Sequence, residues 1–422
     1  MAIYRSLPDR ASLGHLKKQA KDLLAAARAS SAEARRRFEE THPRGIAVFP
    51  KPRLSDAQLV LAREYDFASW PALHDYVKSG AGDGKVQLRE ALERADLASM
   101  TQVLEAYPLL AAARFAPHND TPLHLAAKIG QGQLVDVLLQ RGARFDARNS
   151  WGGTPMICAL IEGHLQVAQL LQERGAPAVT LSEAAGLGRV DVLASFWDSA
   201  GRLKPEAASR FGAEVSPGVW RSASASPADE REVVQSAFEY ACRNGQLEAS
   251  RFLLGRGAQV RAAGFFGGEP LHWAAARGQD EIVRFLVSCG ADMAKRDPKF
   301  GSTAFGWARE FNHHSTMRVL RELGYTPDVW ESASVGDVER LSELLDADPS
   351  RLEEQRWGTP LCEACAWGQE LTARILIERG ARVDVTTRDG KRPIELARAS
   401  GLDTIVALIE AHRGVAADIV SS

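Results

Sequence analysis

The sequence predicts an all-α solenoid of stacked helix pairs, and three observations carry that expectation. A segment of about 33 residues recurs with its residue types in register. Within each copy, apolar residues fall at helical spacing along two short stretches. Glycine closes both stretches at the same places, where a left-handed backbone is needed to turn the chain.

The head of the chain, residues 1–80, contains no copy of the segment. Leu13, Leu16, Ala20, Leu23, Leu24 and Ala27 keep helical spacing, while Lys17, Lys18, Lys21 and Arg28 lie largely off that stripe, so an amphipathic helix is expected. Pro43 to Pro52 reads as a loop. Ser55 with Gln58 forms a capping box for a helix through Glu64, and Ser69 with Pro71 opens another through Val77. Such a module would cap the open end of the stack and hide apolar surface that would otherwise aggregate. The head holds 14 Lys or Arg against 9 Asp or Glu, although the whole chain carries a net charge of -2. That excess is weak as a sign of an anionic partner.

The repeats begin near residue 87. Thr121 opens TPLHLAAKIGQGQLVDV, continued by LLQRGARFDARN, and Thr154 opens TPMICALIEGHLQVAQLLQERGA. The register returns at Glu269 (EPLHWAAARGQDEIVRFLVSCGADMAKRD), Thr303 (TAFGWAREFNHHSTMRVLRELG), Thr359 (TPLCEACAWGQELTARILIERGARVDV) and Arg392 (RPIELARASGLDTIVALIEAHRG). Weaker copies open near Leu88, Leu181, Gln235 and Val329. The spelling has physical reasons. Pro155 and Pro360 sit in a first helical turn, where a missing N–H costs nothing, and Thr154 or Thr359 can cap that turn. Ala126, Ala127, Ala274 and Ala275 let neighbouring helices approach closely. Gly130, Gly163, Gly278 and Gly368 turn the chain into a second helix, whose stripe (Leu134, Val137 and Leu138 in one copy) packs on the first. Gly142, Gly175, Gly257, Gly290 and Gly380 end it. One such unit cannot bury its own apolar face, so stability must come from stacking neighbours.

The T-P-L-H-x-A-A-x-x-G signature, the L-L-x-x-G-A close and the period together resemble the ankyrin-repeat family over roughly residues 87–414. The resemblance implies about nine to ten repeats, each a helix-turn-helix plus a finger, and a partner protein held on the concave face made by fingers and first helices. It also implies that His124 and His272, in the His slot of the signature, make structural hydrogen bonds. LGHLKKQAKDLL and LSDAQLVLAREYDFASWPALHDYV are similar to a helical leader found before bacterial ankyrin arrays. The expected organisation is a head at 1–80, a first repeat block at 87–197, an insertion at 198–232, a second block at 233–414 and a tail at 415–422. The insertion, rich in Ser, Ala and Pro, reads as a long loop in which Trp220 could dock on the solenoid.

The residues offer no catalytic constellation, metal site or cofactor cradle, and no enzyme is expected. Cys362 and Cys365 share a helix face, but zinc needs four ligands and no second pair has matching spacing. His313 and His314 are adjacent and diverge, which makes a poor ligand pair. The five cysteines are read as reduced and buried. GFFGG at Gly264 to Gly268 lacks a phosphate-binding motif and fits a finger turn. The head's helices from Ser55 and Ser69 have a spacing compatible with helix-turn-helix, yet WPALHDYVKSG lacks the side chains that read bases, so nucleic acid is not favoured. No apolar run is long enough to span a membrane and the start lacks a signal core, which makes the cytoplasm the default compartment; a monomer is expected. A secreted effector imitating a host protein would use the same surface.

The register of the repeats places that surface. The variable positions after the A-A pair include Ile129, Glu162, Arg243, Arg277, Phe311 and Trp367. On the fingers, Trp151, Phe266 and Phe300 share one position, three before the Thr slot, with Trp357 close by. Exposed aromatics of this kind supply much of the energy of protein interfaces. They are the expected binding ridge.

Overall fold

The structure, a computed structural model, describes the backbone of residues 7, 11–49, 51–65, 67, 69–78, 81–178, 180–204, 207, 213–216, 219–221, 230–262 and 267–420. It describes their side chains outside 46, 81–82, 213–216, 219–221 and 413–420. The chain divides into two compact units, Met1–Pro270 and Leu271–Ser422.

In the first unit the head forms four helices, Leu13–Arg28, Ala32–Thr41, Leu54–Glu64 and Trp70–Lys78. The first buries Leu16, Ala20, Leu23 and Ala27 and leaves Lys17, Lys18 and Lys21 exposed, as its pattern predicts. The second was not anticipated, because AEARRRFEET offers only Ala34, Phe38 and Thr41 to a core. Phe38 nonetheless sits fully buried among Leu23, Ala27, Val48, Ala57 and Val60. Arg37 clamps the same helix onto the third by two bonds to Glu64, at 2.6 and 2.7 Å. The third helix starts one residue earlier than Ser55. Its cap is the Asp56 carboxylate, which accepts the Arg53 N–H at 2.8 Å, in place of the predicted Ser55–Gln58 box.

Helix pairs follow. In the first unit they are Ala81–Glu93 with Leu97–Ala106, Pro122–Ile129 with Gly132–Gln140, Pro155–Glu162 with Leu165–Glu173, Leu181–Gly186 with Val190–Ser195, and Glu230–Arg243 with Leu247–Leu254. The second unit takes in Pro270–Ala276 beyond its first residue with Asp280–Ser288, then Ala304–Glu310 with His314–Glu322 and Val329–Val335 with Val338–Ala347. Pro360–Ala366 with Glu370–Glu378 and Pro393–Ala399 with Asp403–Val420 complete it. First helices of successive pairs pack side by side, as Pro122–Ile129 does on Pro155–Glu162 and Val329–Val335 on Pro360–Ala366. Ala126, Ala127, Ala274 and Ala275 are completely buried, which is the close approach their size permits. Thr154 Oγ1 accepts the Ile157 N–H at 3.2 Å as the expected cap. Thr359 does not cap; its hydroxyl donates to Cys362 Sγ at 3.5 Å instead.

Second helices are tied across repeats by a row of ion pairs in which an arginine at the helix end reaches an acid of the preceding repeat. Arg141 meets Glu105 at 3.1 Å, Arg174 meets Asp136 at 2.8 Å and Arg379 meets Asp346 at 2.6 Å. Each arginine is its helix's C-terminal cap residue, where a cation also complements the helix dipole. Being exposed, each pair contributes at most about 1 kcal/mol.

Within the predicted insertion, Ala213–Ser216 and Val219–Arg221 pair as an antiparallel two-stranded ribbon. The segment therefore holds local strand structure that an all-α reading omitted, and the next helix opens at Glu230. Trp220 lies on the second strand. Among the described residues no helix is long and apolar enough to cross a membrane.

Candidate partner-binding site

The surface is positioned by polar contacts that lock each repeat to its neighbour. His124 Nδ1 accepts the Thr121 N–H at 3.2 Å, while its Nε2–H donates to the Gly153 carbonyl of the next repeat at 3.0 Å. His272 likewise donates to the Lys295 carbonyl at 3.1 Å. Burial, opposed by Asp120 and by the Gly153 bond, lowers the His124 ring to about 4, so it stays neutral.

Other repeats place glutamate in that slot, Glu395 in the last and Glu183 and Glu331 in two where it reaches across to the preceding repeat. Glu183 accepts the Thr154 hydroxyl at 2.7 Å and the Thr180 N–H at 3.0 Å. Glu331 accepts the Thr303 hydroxyl at 2.5 Å, the Tyr325 hydroxyl at 2.6 Å and the Asp328 N–H at 3.1 Å. The contact between repeats survives with the slot residue's role exchanged: instead of donating forward to a carbonyl of the next repeat, it accepts from the hydroxyl of the preceding one. Sequence reasoning missed both residues, although Thr180-x-x-Glu183 and Asp328-x-x-Glu331 spell capping boxes.

A second contact was also missed. His164 Nε2–H donates to the Lys128 carbonyl at 3.0 Å, and His313 Nε2–H does the same to the Ala276 carbonyl at 3.0 Å. Each ring lies against the turning glycine of the preceding repeat. A Cβ on Gly130 would come 2.5 Å from His164 Nδ1, and one on Gly278 would come 2.6 Å from His313 Nδ1. Gln246 and Gln369 fill the same place against Gly188 and Gly336. His313 is thus a stacking residue.

The residues expected to meet a partner divide by exposure. Trp151 is only 5% exposed and belongs to the core, which corrects its reading as a protruding finger tip. Its ring folds over Gly153, whose missing side chain leaves the room, and Lys128 Nζ lies 6.0 Å from the ring centroid. Arg243, at 2% exposed, is also removed from the surface: it donates to the Ile161 carbonyl at 2.8 Å and pairs with Glu239 at 3.5 Å. Phe266 lies outside the described residues. Ile129, Glu162, Arg277, Trp357 and Trp367 are half-buried.

Phe300 and Phe311 remain exposed, at 66% and 49%. Both belong to the repeat built on Ala304–Glu310, one on its finger and one at the end of its first helix. Phe300 packs edge-on to Trp307 at 6.0 Å, and Trp307 in turn packs on Trp273 at 4.7 Å. Cations lie over these aromatics: Lys299 over Phe300 at 5.2 Å, Arg277 over Phe311 at 6.0 Å and Arg309 over Trp367 at 4.3 Å. The finger bearing Phe300 is held by Asp297, whose carboxylate accepts the N–H groups of Lys299, Phe300 and Ser302 at 2.7 to 2.9 Å and the Trp307 indole N–H at 3.0 Å. Burial works to raise the Asp297 carboxyl, but these donors outweigh it and hold the group below the usual carboxylate range.

The thiols do not suit chemistry. Cys158, Cys242, Cys362 and Cys365 are buried, and burial with the neighbouring Cys362 pushes Cys365 up to about 12, far from the thiolate that would ligate or attack. Cys289 is exposed, contrary to the reading of all five as buried; it is the C-terminal cap residue of Asp280–Ser288.

A stack of paired helices with finger contacts between neighbours defines a helical repeat array. Residues 96–180 and 238–333 each match the family model described as ankyrin repeats (3 copies), so these two stretches of the chain carry ankyrin repeats. It is 26% identical over 217 residues to a transient receptor potential cation channel subfamily A member 1 homolog of Caenorhabditis elegans, covering 51% of this chain and 16% of that protein. It is 28% identical over 183 residues to the palmitoyltransferase ZDHHC13 of Mus musculus, covering 40% of this chain and 29% of that protein. The chain thus spans less than a third of either relative. A solved complex of a predatory endopeptidase from Bdellovibrio bacteriovorus with its immunity protein aligns at 19% identity with a TM-score of 0.32, over 41% of this chain and 96% of that one.

Proposed function

We propose that this chain is a non-enzymatic scaffold that holds a partner protein on its fingers and first helices, as a cytoplasmic monomer. The observation that supports it best is the pair Phe300 and Phe311, two exposed aromatics on one repeat, each beneath a cation. Desolvating such rings against a partner is the kind of contact that dominates interface energetics. Arg277, Trp357 and Trp367, half-buried in the same unit, extend the proposed surface. Ile129 and Glu162 would serve similarly in the first unit.

The test is capture of the partner by the intact chain and by the double variant Phe300→Ala, Phe311→Ala. Each truncation should cost about 2 kcal/mol of binding. Thermal stability should move by less than about 0.5 kcal/mol, since exposed side chains contribute little to stacking. Undiminished capture by the double variant would refute this surface.

A further inference from the structure

The fingers of the second unit, residues 291–303, 348–359 and 381–392, separate their charges in a way the first-helix positions do not. Several of their acids are bonded to backbone N–H groups, while Asp384 pairs with the Arg382 side chain. Asp297 is held by the N–H groups already described, Asp292 accepts from Ala294 at 2.9 Å, Asp348 from Ser350 at 3.1 Å, and Glu353 from Arg382 of the following finger at 2.7 Å. Several cations are not so committed. Lys295, Lys299 and Arg388 are exposed and make no ion pair among the described residues, and Lys391 is exposed 3.9 Å from Asp389. The fingers are joined to one another: Arg388 N–H donates to the Trp357 carbonyl at 2.8 Å, and Asp328 receives both Arg296 and Arg356.

We propose that these fingers dock an acidic segment of a partner protein, whose carboxylates meet Lys295, Lys299, Arg388 and Lys391 while an apolar side chain covers Phe300. This rests on the scaffold reading and names the partner's chemistry. Charge complementarity carries it, because an anionic segment finds in Lys295, Lys299 and Arg388 donors that no carboxylate among the described residues has taken. The Lys299 ammonium over the exposed Phe300 ring puts a cation and an apolar face at one point, matching a chain in which acids alternate with apolar groups. A nucleic acid backbone, charged at every step, would instead meet the exposed Glu354 and the Asp328 carboxylate among these cations.

The experiment titrates the full chain against three fluorescein-labelled probes: a random copolymer of glutamate and tyrosine, one of lysine and tyrosine, and a single-stranded thymidine oligonucleotide. Anisotropy should show the acidic copolymer binding at least about tenfold tighter than the other two at low salt, and weakening as ionic strength rises. The variant Lys299→Glu, Arg388→Glu, Lys391→Glu should lose that preference while keeping its helical circular dichroism and melting temperature. Equal or tighter binding of the oligonucleotide, no binding of the acidic copolymer, or a preference unmoved by charge reversal would each overturn the inference. If the charge-reversed chain still captures its cellular partner and the Phe300→Ala, Phe311→Ala chain does not, the acidic partner is refuted and the scaffold stands.

Discussion

Substituting alanine at Gly130 and at Gly142 separates backbone strain from stacking within a single repeat. Both glycines have positive φ, +79° and +85°, so alanine at either costs about 1 to 2 kcal/mol for a left-handed backbone. Around Gly142 a new Cβ meets nothing within 4 Å. At Gly130 it would stand 2.5 Å from His164 Nδ1 and 2.7 Å from Cγ and Cε1, so the imidazole must leave. Its bond to the Lys128 carbonyl, 3.0 Å long, then breaks, which adds about 1 kcal/mol. Overpacking of the turn adds about 1 to 3 kcal/mol more. Gly130→Ala should therefore cost about 3 to 6 kcal/mol in all and Gly142→Ala only the first part. Stability in such arrays is local, so the assay is amide hydrogen exchange in Pro122–Ile129 and Pro155–Glu162, read with and without His164→Ala. In the His164→Ala background the two glycine substitutions should cost the same. Equal costs in the native background, or an excess at Gly130 that survives removal of the ring, would refute the contact.

Acid should weaken the first unit through His124, which the folded chain keeps neutral down to about 4. Between that value and an unfolded pKa of about 6.5, only the unfolded chain takes up the proton, so stability is full above the window and falls by about 3 kcal/mol as pH drops through it. Equilibrium unfolding followed from pH 7 to 4 should show this slope in the native chain and lose it in His124→Gln. Trp151→Ala should destabilise by about 3 kcal/mol, the cost of emptying a core aromatic site, and leave partner capture intact. Iodoacetamide under native conditions should alkylate Cys289 first, with Cys158, Cys242, Cys362 and Cys365 modified only in denaturant, as mass spectrometry of the peptides would show. Early modification of Cys365 would contradict its raised pKa.

The repeat was legible because its signals are local. Pro at a first turn, paired alanines and a glycine wherever φ must be positive each encode one backbone requirement, and their recurrence fixed the register from Thr121 to Arg392. The glutamates in the His slot are not legible in the motif because the motif is spelled by residue type, whereas the slot is defined by what its side chain can bond. Trp151 and Phe300 share a register position yet have opposite fates. Gly153 follows the first closely and leaves a bed for its ring, while Asp297 holds the second finger by four bonds and leaves its phenyl outside. Orientation on a finger depends on such neighbours, and the period says nothing of them. Helix Ala32–Thr41 was hidden for a related reason: one phenylalanine and an arginine clamp hold it, with too few apolar residues to show a stripe.

The pocketing of a His or Gln against the preceding repeat's glycine also explains how the chain tolerates its long interruption. Gly130 and His164, Gly278 and His313, and Gly336 and Gln369 are separated by one period, but Gly188 and Gln246 meet although the interrupting segment lies between them. The joint itself is made by Gly188 and Gln246, so length added between them need not open it, and doubling a tether costs about 0.6 kcal/mol. That makes the stretch after the buried Ala207 and before Glu230 the natural port for grafting: a foreign domain or an affinity tag spliced there should ride on the stack without unfastening it.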